Sequence, residues 1–390
     1  MRENRTHGSE GGEDGVLSYP YFICYAGVGI ATDGSAGVRQ TIAGANAGAG
    51  NFSIPQTLGL LAGNNLFHSF STFNIDSGQI ATFTTTTPAI GNVISRVTGG
   101  GLSQINGALK LTPVSGTPNF FFLNPAGVTF GAGGSIDVPG AFHVSTADNV
   151  KFANGDKFYA DLSKTSVLSS AAPEAFGFLG ISRAAIAIRD EVTLTAKPLQ
   201  PISITSGDIE INNSKVLTHG EDIRVVALGK KRVDIGFTGT LPRVDGNLSV
   251  LNGGQISAST DSLINAGTVK VSAGSIAIDG SGRTSGILSR AINNVDNDGQ
   301  TGNAGSIDIT ASGVLSIVNG GVISASTYSS GKAGTVMVNA GSITIDGQGS
   351  IRPASIASNA VGNADNAGQT GDAGSINITV SGALSIVIGL

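Results

Sequence analysis

The chain has 390 residues, 40% of them hydrophobic and only 13% charged, with 58 glycines, no tryptophan and a formal net charge of −5. That apolar share is too high for a disordered chain, the glycines lack the strict triplet of collagen, and the longest basic run, Lys230-Lys231-Arg232, is too short for a nucleic-acid footprint. The single cysteine, Cys24, excludes an intrachain disulfide, and no apolar stretch reaches the ~18 residues of a membrane-spanning helix. High glycine with abundant Ser, Thr, Asn, Ile and Val describes many short strands joined by many turns.

In chain order, residues 1–34 read as a poorly ordered N-terminus. Met1 to Asp14 is polar, and Tyr19 to Ala31 is a short apolar segment that reads as a signal remnant, with a poor basic region and a poor cleavage site. A misplaced start or a truncated signal fits it equally well. Strand-like segments then follow one another. Asn64-Asn65-Leu66-Phe67-His68-Ser69-Phe70 leads into Phe73-Asn74-Ile75. Asn92-Val93-Ile94-Ser95-Arg96-Val97-Thr98-Gly99-Gly100 and Ile105-Asn106-Gly107 come next.

The most informative segment runs from Phe120 to Gly131. Two apolar runs flank Asn124-Pro125-Ala126-Gly127. Proline fixes its own φ and pushes the preceding residue out of helix, and Gly127 tolerates a positive φ, so two strands meet at a tight corner. Taken alone, these residues specify only a turn. Gly134-Ser135-Ile136-Asp137-Val138 and Ser145-Thr146-Ala147-Asp148 complete the series.

In order and spacing these motifs, over roughly residues 30 to 180, resemble the N-terminal secretion domain of filamentous haemagglutinin-type exoproteins. The resemblance implies two-partner secretion: recognition of this domain by an outer-membrane β-barrel transporter, with the chain folding outside as a right-handed β-helix. It marks Asn124, Pro125 and Gly127 as the secretion motif, with Ala126 where Asn is frequent. It marks Asn64, Asn65, Leu66, Phe67, His68, Ser95, Arg96, Gly99 and Gly100 as family-like positions. The Asn-Pro-Asn-Leu motif of some members is missing; Thr87-Pro88-Ala89-Ile90 stands in its region. The secretion domain is expected over 35–180.

The C-terminal half repeats itself. Leu248-Ser249-Val250-Leu251-Asn252-Gly253-Gly254 recurs 67 residues later as Leu315-Ser316-Ile317-Val318-Asn319-Gly320-Gly321, and starts again at Leu384, 69 residues on. Gly267, Gly305, Gly334 and Gly374 each open a small-residue turn before an alternating strand, at spacings of 38, 29 and 40. Between Gly305 and Gly334 three strands are predicted: Ser306 to Thr310, Val314 to Val318, and Val322 to Thr327. Three short strands and a return make one triangular coil, and two unequal coils make one unit. Period-2 alternation and frequent Gly, Asn and Ser exclude helices. A five-residue strand cannot bury its apolar face alone, so the coils must stack.

The predicted fold is therefore an all-β, right-handed parallel β-helix of about a dozen coils ~4.8 Å apart, with an N-terminal cap of extra antiparallel strands. Residues 181–390 are expected to be β-helix repeats, with units near 248–314 and 315–383. The first of them, 181–247, read as ordinary coils. The chain stops inside a new repeat, which reads as a fragment or an incomplete gene.

Catalytic chemistry is sparse. His7, His68, His143 and His219 form no ligand cluster, and His68 is expected to pack or hydrogen-bond near the cap. The polar excursions Asn293 to Asn303 and Asn359 to Asp372 carry oxygen donors (Asn294, Asp296, Asn297 and Asp298, then Asn363, Asp365, Asn366 and Asp372). They read better as solvated loops than as calcium sites. No column of paired acids or bases is visible, so neither catalytic residues nor a cofactor or metal is expected. The favoured function is a secreted, surface-associated adhesin that meets cell-surface glycans or proteins and no nucleic acid. The rivals are a β-helical carbohydrate-active enzyme and the stalk of a contact-dependent toxin.

Overall fold

The computed structural model describes residues 29–42, 50–292, 300–347, 349, 351–362 and 371–387. They are strands and turns, with one 3-10 turn at Gln56–Leu58. The strands stack into three parallel columns, giving the parallel β-helix that the repeats require.

Column one runs Asn65–Phe73, Asn92–Val97, Asn119–Leu123, Phe142–Ser145, Ile202–Ser206, Ile223–Ala227 and Val269–Ala273. It continues through the first parts of Ile307–Val318 and Thr335–Asp346 to Ser375–Val380. Column two begins at Ser103–Ile105 and Val128–Phe130 and ends at Leu384–Val387. Column three is a four-stranded sheet, Asn51–Pro55 to Ser135–Asp137, followed by a six-stranded one, Thr193–Thr195 to Ser355–Ala357.

The predicted strands Ser306 to Thr310 and Val314 to Val318 form one strand, Ile307–Val318, with a register shift between Ala311 and Val314. Ile309 pairs with Val338 and Val338 with Ile378, so the 69-residue unit is two coils. Among the described residues column one holds ten strands rather than a dozen, about 40–45 Å of stacking.

Alternation decides what is inside. Along column one Leu66, Val93, Phe120, Phe142, Ile202, Ile223, Val269, Ile307 and Val336 fall in register and are all buried in one continuous core. Phenylalanine fills the first coils (Phe70, Phe73, Phe83, Phe120, Phe122, Phe130, Phe142), and Ile, Val, Leu and Ala fill the later ones.

The glycines at 267, 305, 334 and 374 have a steric reason. They stack on one another at a corner where backbones nearly touch. A Cβ on Gly334 would fall on the carbonyl oxygen of Gly305, and one on Gly374 on that of Gly334.

The expected cap is present. Ile30–Thr32 pairs antiparallel with Thr41–Ile42 and with Asn65–Phe73, and Leu60–Ala62 folds back on Asn65–Phe73. A second antiparallel sheet escapes the sequence reading. Asn149–Phe152, Lys157–Tyr159, Pro173–Gly177 and Asp234–Gly236 leave the helix between columns one and two. They lie against the outer face of column one. Phe67, Ile94, Phe121 and Leu123 point outward there and meet Phe152, Phe158 and Phe176 in a second core. This is why Phe120-Phe121-Phe122 is an unbroken apolar run: both faces of that strand are covered. It also corrects the coil count. The residues of these excursions serve the side sheet instead of extra coils, so 181–247 is not plain coil.

The stacked glycines give a test. Gly334→Ala must displace backbone and is expected to cost at least about 3 kcal/mol. Gly101→Ala, with open space around it, is expected to stay within about 0.5 kcal/mol. Denaturant titration of both variants decides, and equal stabilities would refute close backbone stacking at this corner.

Candidate functional site

The family-like residues all lie on the first two strands of column one and the turns beside them. Asn65 pairs with Asn92, His68 with Ser95, and Ser69 with Arg96. Asn64 is exposed in the preceding turn, and its carbonyl accepts from the amides of Gly91 and Asn92. Leu66 is buried in the main core and Phe67 in the second, 4.9 Å from Phe158 between ring centroids.

Asn65 begins a ladder. Asn92 Nδ2 donates to Asn65 Oδ1 at 2.8 Å, and Asn119 Nδ2 donates to Asn92 Oδ1 at 3.1 Å. Asn65 Nδ2 meanwhile holds the carbonyls of Ser169 and Ala171. The 27-residue interval shared by the three asparagines was visible in the sequence and was missed.

Arg96 is 2% exposed and ties four segments together. Its Nε donates to Ser69 Oγ and its Nη2 to Ser35 Oγ, each at 2.8 Å; its Nη1 reaches Ser166 Oγ at 2.9 Å and the Tyr159 carbonyl. The guanidinium lies 3.9 Å from the Phe158 ring centre. Asp33, 6% exposed, takes hydroxyl hydrogens from Ser35, Ser69 and Thr98, each at 2.6 Å. Burial alone would raise the Asp33 carboxyl, but these hydroxyls outweigh it and hold it below its usual value. Burial pulls Arg96 down to about 10, opposed by the charge of Asp33. Asp33, Ser35, Ser69, Thr98 and Ser166 were not singled out from the sequence, because their partners are 27 to 70 residues away.

Gly99 and Gly100 turn the chain after this strand. A Cβ on Gly99 would strike the Ser71 carbonyl, and Gly100 has φ +76°.

The corner at 124–127 closes the third strand of column one. Asn124 is fully buried and saturated with hydrogen bonds. Its Nδ2 donates to the Gly101 carbonyl (3.0 Å) and to Ser103 Oγ (2.9 Å), its Oδ1 accepts from the Ala126 amide (2.9 Å), and its carbonyl accepts from the Gly127 amide. Pro125 is half-buried. Gly127 has φ +113°, and a Cβ there would sit 2.9 Å from Leu102 Cδ1. The two predicted groups of residues therefore sit in successive coils. The first binds the cap and side sheet to the helix, and the second shapes a corner.

A family model described as the TPS secretion domain matches residues 28–388. The chain belongs to this family. As such it is part of a two-partner secretion exoprotein. Among solved structures the TPS domain is similar to the HMW1 secretion domain from Haemophilus influenzae, at 16% identity, covering 89% of this chain and 97% of that one, with a TM-score of 0.43. It is also similar to the filamentous hemagglutinin secretion domain, at 10% identity, covering 93% of this chain and 100% of that one, with a TM-score of 0.40. No curated protein matches the sequence.

Two histidines of the TPS domain are buried. His68 points into the main core against Phe70 and Phe83, and neither ring nitrogen has a hydrogen-bond partner. His143 stacks on Phe121 and shares a 2.6 Å hydrogen bond with Ser203 Oγ. Burial pushes both down to about 3, with the charge of Arg224 adding to the effect at His143. His219 is exposed, and His7 lies outside the described residues. Among the described residues no three His, Cys, Asp or Glu side chains converge as a metal group. Of the calcium candidates only Asp372 is described, and it pairs with Lys332 at 3.0 Å.

The buried histidines make acid stability predictable. Above pH 6.5 both folded and unfolded chains hold these rings neutral. Below it the unfolded chain takes up protons that the folded one refuses until about pH 3, so stability falls as pH falls across that window. Each ring should cost about 2 kcal/mol between pH 7 and pH 5. Asp33, with its lowered carboxyl, loses its contribution only below that interval. His68→Leu should remove its share of the loss, read from urea midpoints at the two pH values. A variant that keeps the full wild-type loss would refute the assignment to His68.

Proposed function

We propose that the chain is the transporter-recognised part of a secreted, surface-associated adhesin, exported by an outer-membrane β-barrel partner and deployed on the bacterial surface. Residues 35–180 carry recognition, and the coils from 181 onward form the extended stalk. The observation that carries this reading is the match of the secretion-domain family model over residues 28–388. The build of the first coils supports it. Cap, corner and most of the side sheet concentrate there, whereas the coils from Val269 onward are a plain array. Binding without turnover fits the sparse charge, since acid–base catalysis needs convergent titratable groups.

The secretion motif is proposed as Asn124, Pro125 and Gly127. Asn124→Ala would drop three hydrogen bonds, one of them to the buried Ser103 hydroxyl. It is expected to cost about 2–4 kcal/mol and to reduce export. Pro125→Ala is the discriminating variant. Its side chain is half-buried and makes no hydrogen bond, so the fold should survive while export through the partner transporter falls. Comparison of culture supernatants with purified, refolded protein separates the two effects. Unchanged export of both variants would reduce the corner to a structural turn.

The adhesin reading is tested by incubating purified protein with host or neighbouring cells and with a polysaccharide panel. Cell binding without product release is expected. Depolymerisation abolished by changing one carboxylate would overturn it in favour of an enzyme.

A further inference from the structure

Where column three turns towards column one, an open cleft of about 190 Å³ lies beside the strand Gln255–Ser257. Three successive coils build it. Lys215 comes from the coil before, Ser257, Ser259 and Asp261 from the middle coil, and Arg290 from the coil after.

The serines belong to the repeat. Ser257 Oγ and Ser259 Oγ share a 2.8 Å hydrogen bond, and Ser259 Oγ accepts from the Arg290 amide at 3.0 Å. One unit later Ser324 Oγ donates to Ser326 Oγ at 3.1 Å, and Ser326 Oγ accepts from the Asn359 amide at 2.9 Å. The charged borders do not recur. Lys215 pairs with Gln255 and Gln255 with Gly286, so Gly286 takes the place of Lys215 in the next unit. Asn359 takes the place of Arg290, and Tyr328 that of Asp261. The same corner is therefore built a second time without these charges.

Neither cation is engaged by the fold. Lys215 is exposed, and its ammonium has no hydrogen bond or ion pair among the described residues. The Arg290 guanidinium lies 5.9 Å from the Tyr328 ring centre, and its Nε is buried without a hydrogen-bond partner. A buried donor left unpaired costs free energy, and an acceptor in the cleft would relieve that cost. Lys215 and Arg290 against Asp261 leave the lining one positive charge, counting His219 as neutral, which suits a monoanion. Drug-sized ligands occupy about 300 Å³ or more, so this cleft has room for a single ring.

We propose that the cleft binds one acidic sugar residue of a cell-surface glycan through its carboxylate. Arg290 offers the fork of donors that a carboxylate accepts, and Lys215 adds a second charge. Asp261 accepts hydrogen bonds from ring hydroxyls, and Leu217 and Ile292 meet the carbon–hydrogen face of the ring. The proposal rests on the adhesin reading above and gives it a ligand class and a site.

The test is an NMR titration of the full 390-residue chain with methyl glucuronide. Methyl glucoside, which keeps the ring without the carboxylate, and acetate, which keeps the carboxylate without the ring, are the comparison probes. The wild type should bind the glucuronide more tightly than either, with an affinity that falls as salt rises. Lys215→Gln/Arg290→Asn should weaken binding at least about tenfold. Asn359 already occupies the corresponding position of the next unit, so this double variant should keep its fold. Lys164→Gln, which removes a distant exposed cation, should bind like the wild type. Unchanged affinity in the double variant, or equal binding of the glucoside or of acetate, would overturn the proposal. A cell-attachment assay separates it from the reading beneath it. Glucuronide binding without attachment sinks the adhesin and keeps the site, and attachment without glucuronide binding sinks the site and keeps the adhesin.

Discussion

The distance between hydrogen-bonded strands governs this molecule. Each coil must lie about 4.8 Å from the next along all three columns, because every strand gives its backbone donors and acceptors to the coils above and below it. Corners feel this most. Where two coils turn at the same place their backbones approach until a Cβ no longer fits, and the chain answers with stacked glycines at 267, 305, 334 and 374. Where the turn needs a left-handed residue instead, Asn213, Asn252 and Asn319 supply it. The glycine content is thus the footprint of the stacking distance, with no need to invoke flexibility.

Stacking leaves two problems, an open first edge and an outer face. Antiparallel strands cover the edge, and the side sheet covers the outer face of column one with a second phenylalanine-rich core. The excursions that build this covering are fixed by two buried arginines and a half-buried one, whose partners are mostly backbone carbonyls. Arg96 holds Tyr159, Arg183 holds Gly180 and Gly229, and Arg224 holds Gly236, Thr238 and Gly239. A guanidinium with several donors in fixed directions suits irregular loops, which offer carbonyls at odd angles and no ladder to join. That explains how a chain with so few charges still buries several of them.

Repeats and alternation were legible in the sequence because they are local. The Gly-Ser-Ile-Asp-Ile-Thr pattern names an inward and an outward face, and the recurrence of Leu315 to Gly321 names the period. The corner at Asn124 was legible because Pro125 and Gly127 each restrict φ by their own covalent structure. The side sheet was not legible. Asn149–Phe152 alternates like any coil strand, and only its partners, Lys157–Tyr159 and Pro173–Gly177, show that it has left the helix. Arg96 was flagged by resemblance, but its role depends on Asp33 and Ser166, and no single-residue property announces such a network. His68 gave the opposite lesson. Polar by type, it occupies an inward position of an apolar column, so alternation predicts its burial better than chemistry does.

These features divide the helix energetically without dividing it into separate cores. A solenoid's stability is close to a sum of coil and nearest-neighbour terms, so a change in one coil is felt mainly by the two beside it. From Val269 onward the described coils follow that rule in their backbone ladder, since each strand pairs only with strands of the coils beside it. The earlier coils do not. Pro173–Gly177 pairs with Asn149–Phe152 on one side and with Asp234–Gly236 on the other, and the second core joins Phe67 to Val226 and Leu228 across several coils. Loosening one of these coils therefore disturbs contacts made by others that it never touches directly. The terminal coil of any stack lacks one neighbour and is the weakest by construction. Here that deficit is offset by a covering that makes the first coils the most interdependent part of the chain, and those are the coils that carry Arg96, His68 and Asn124.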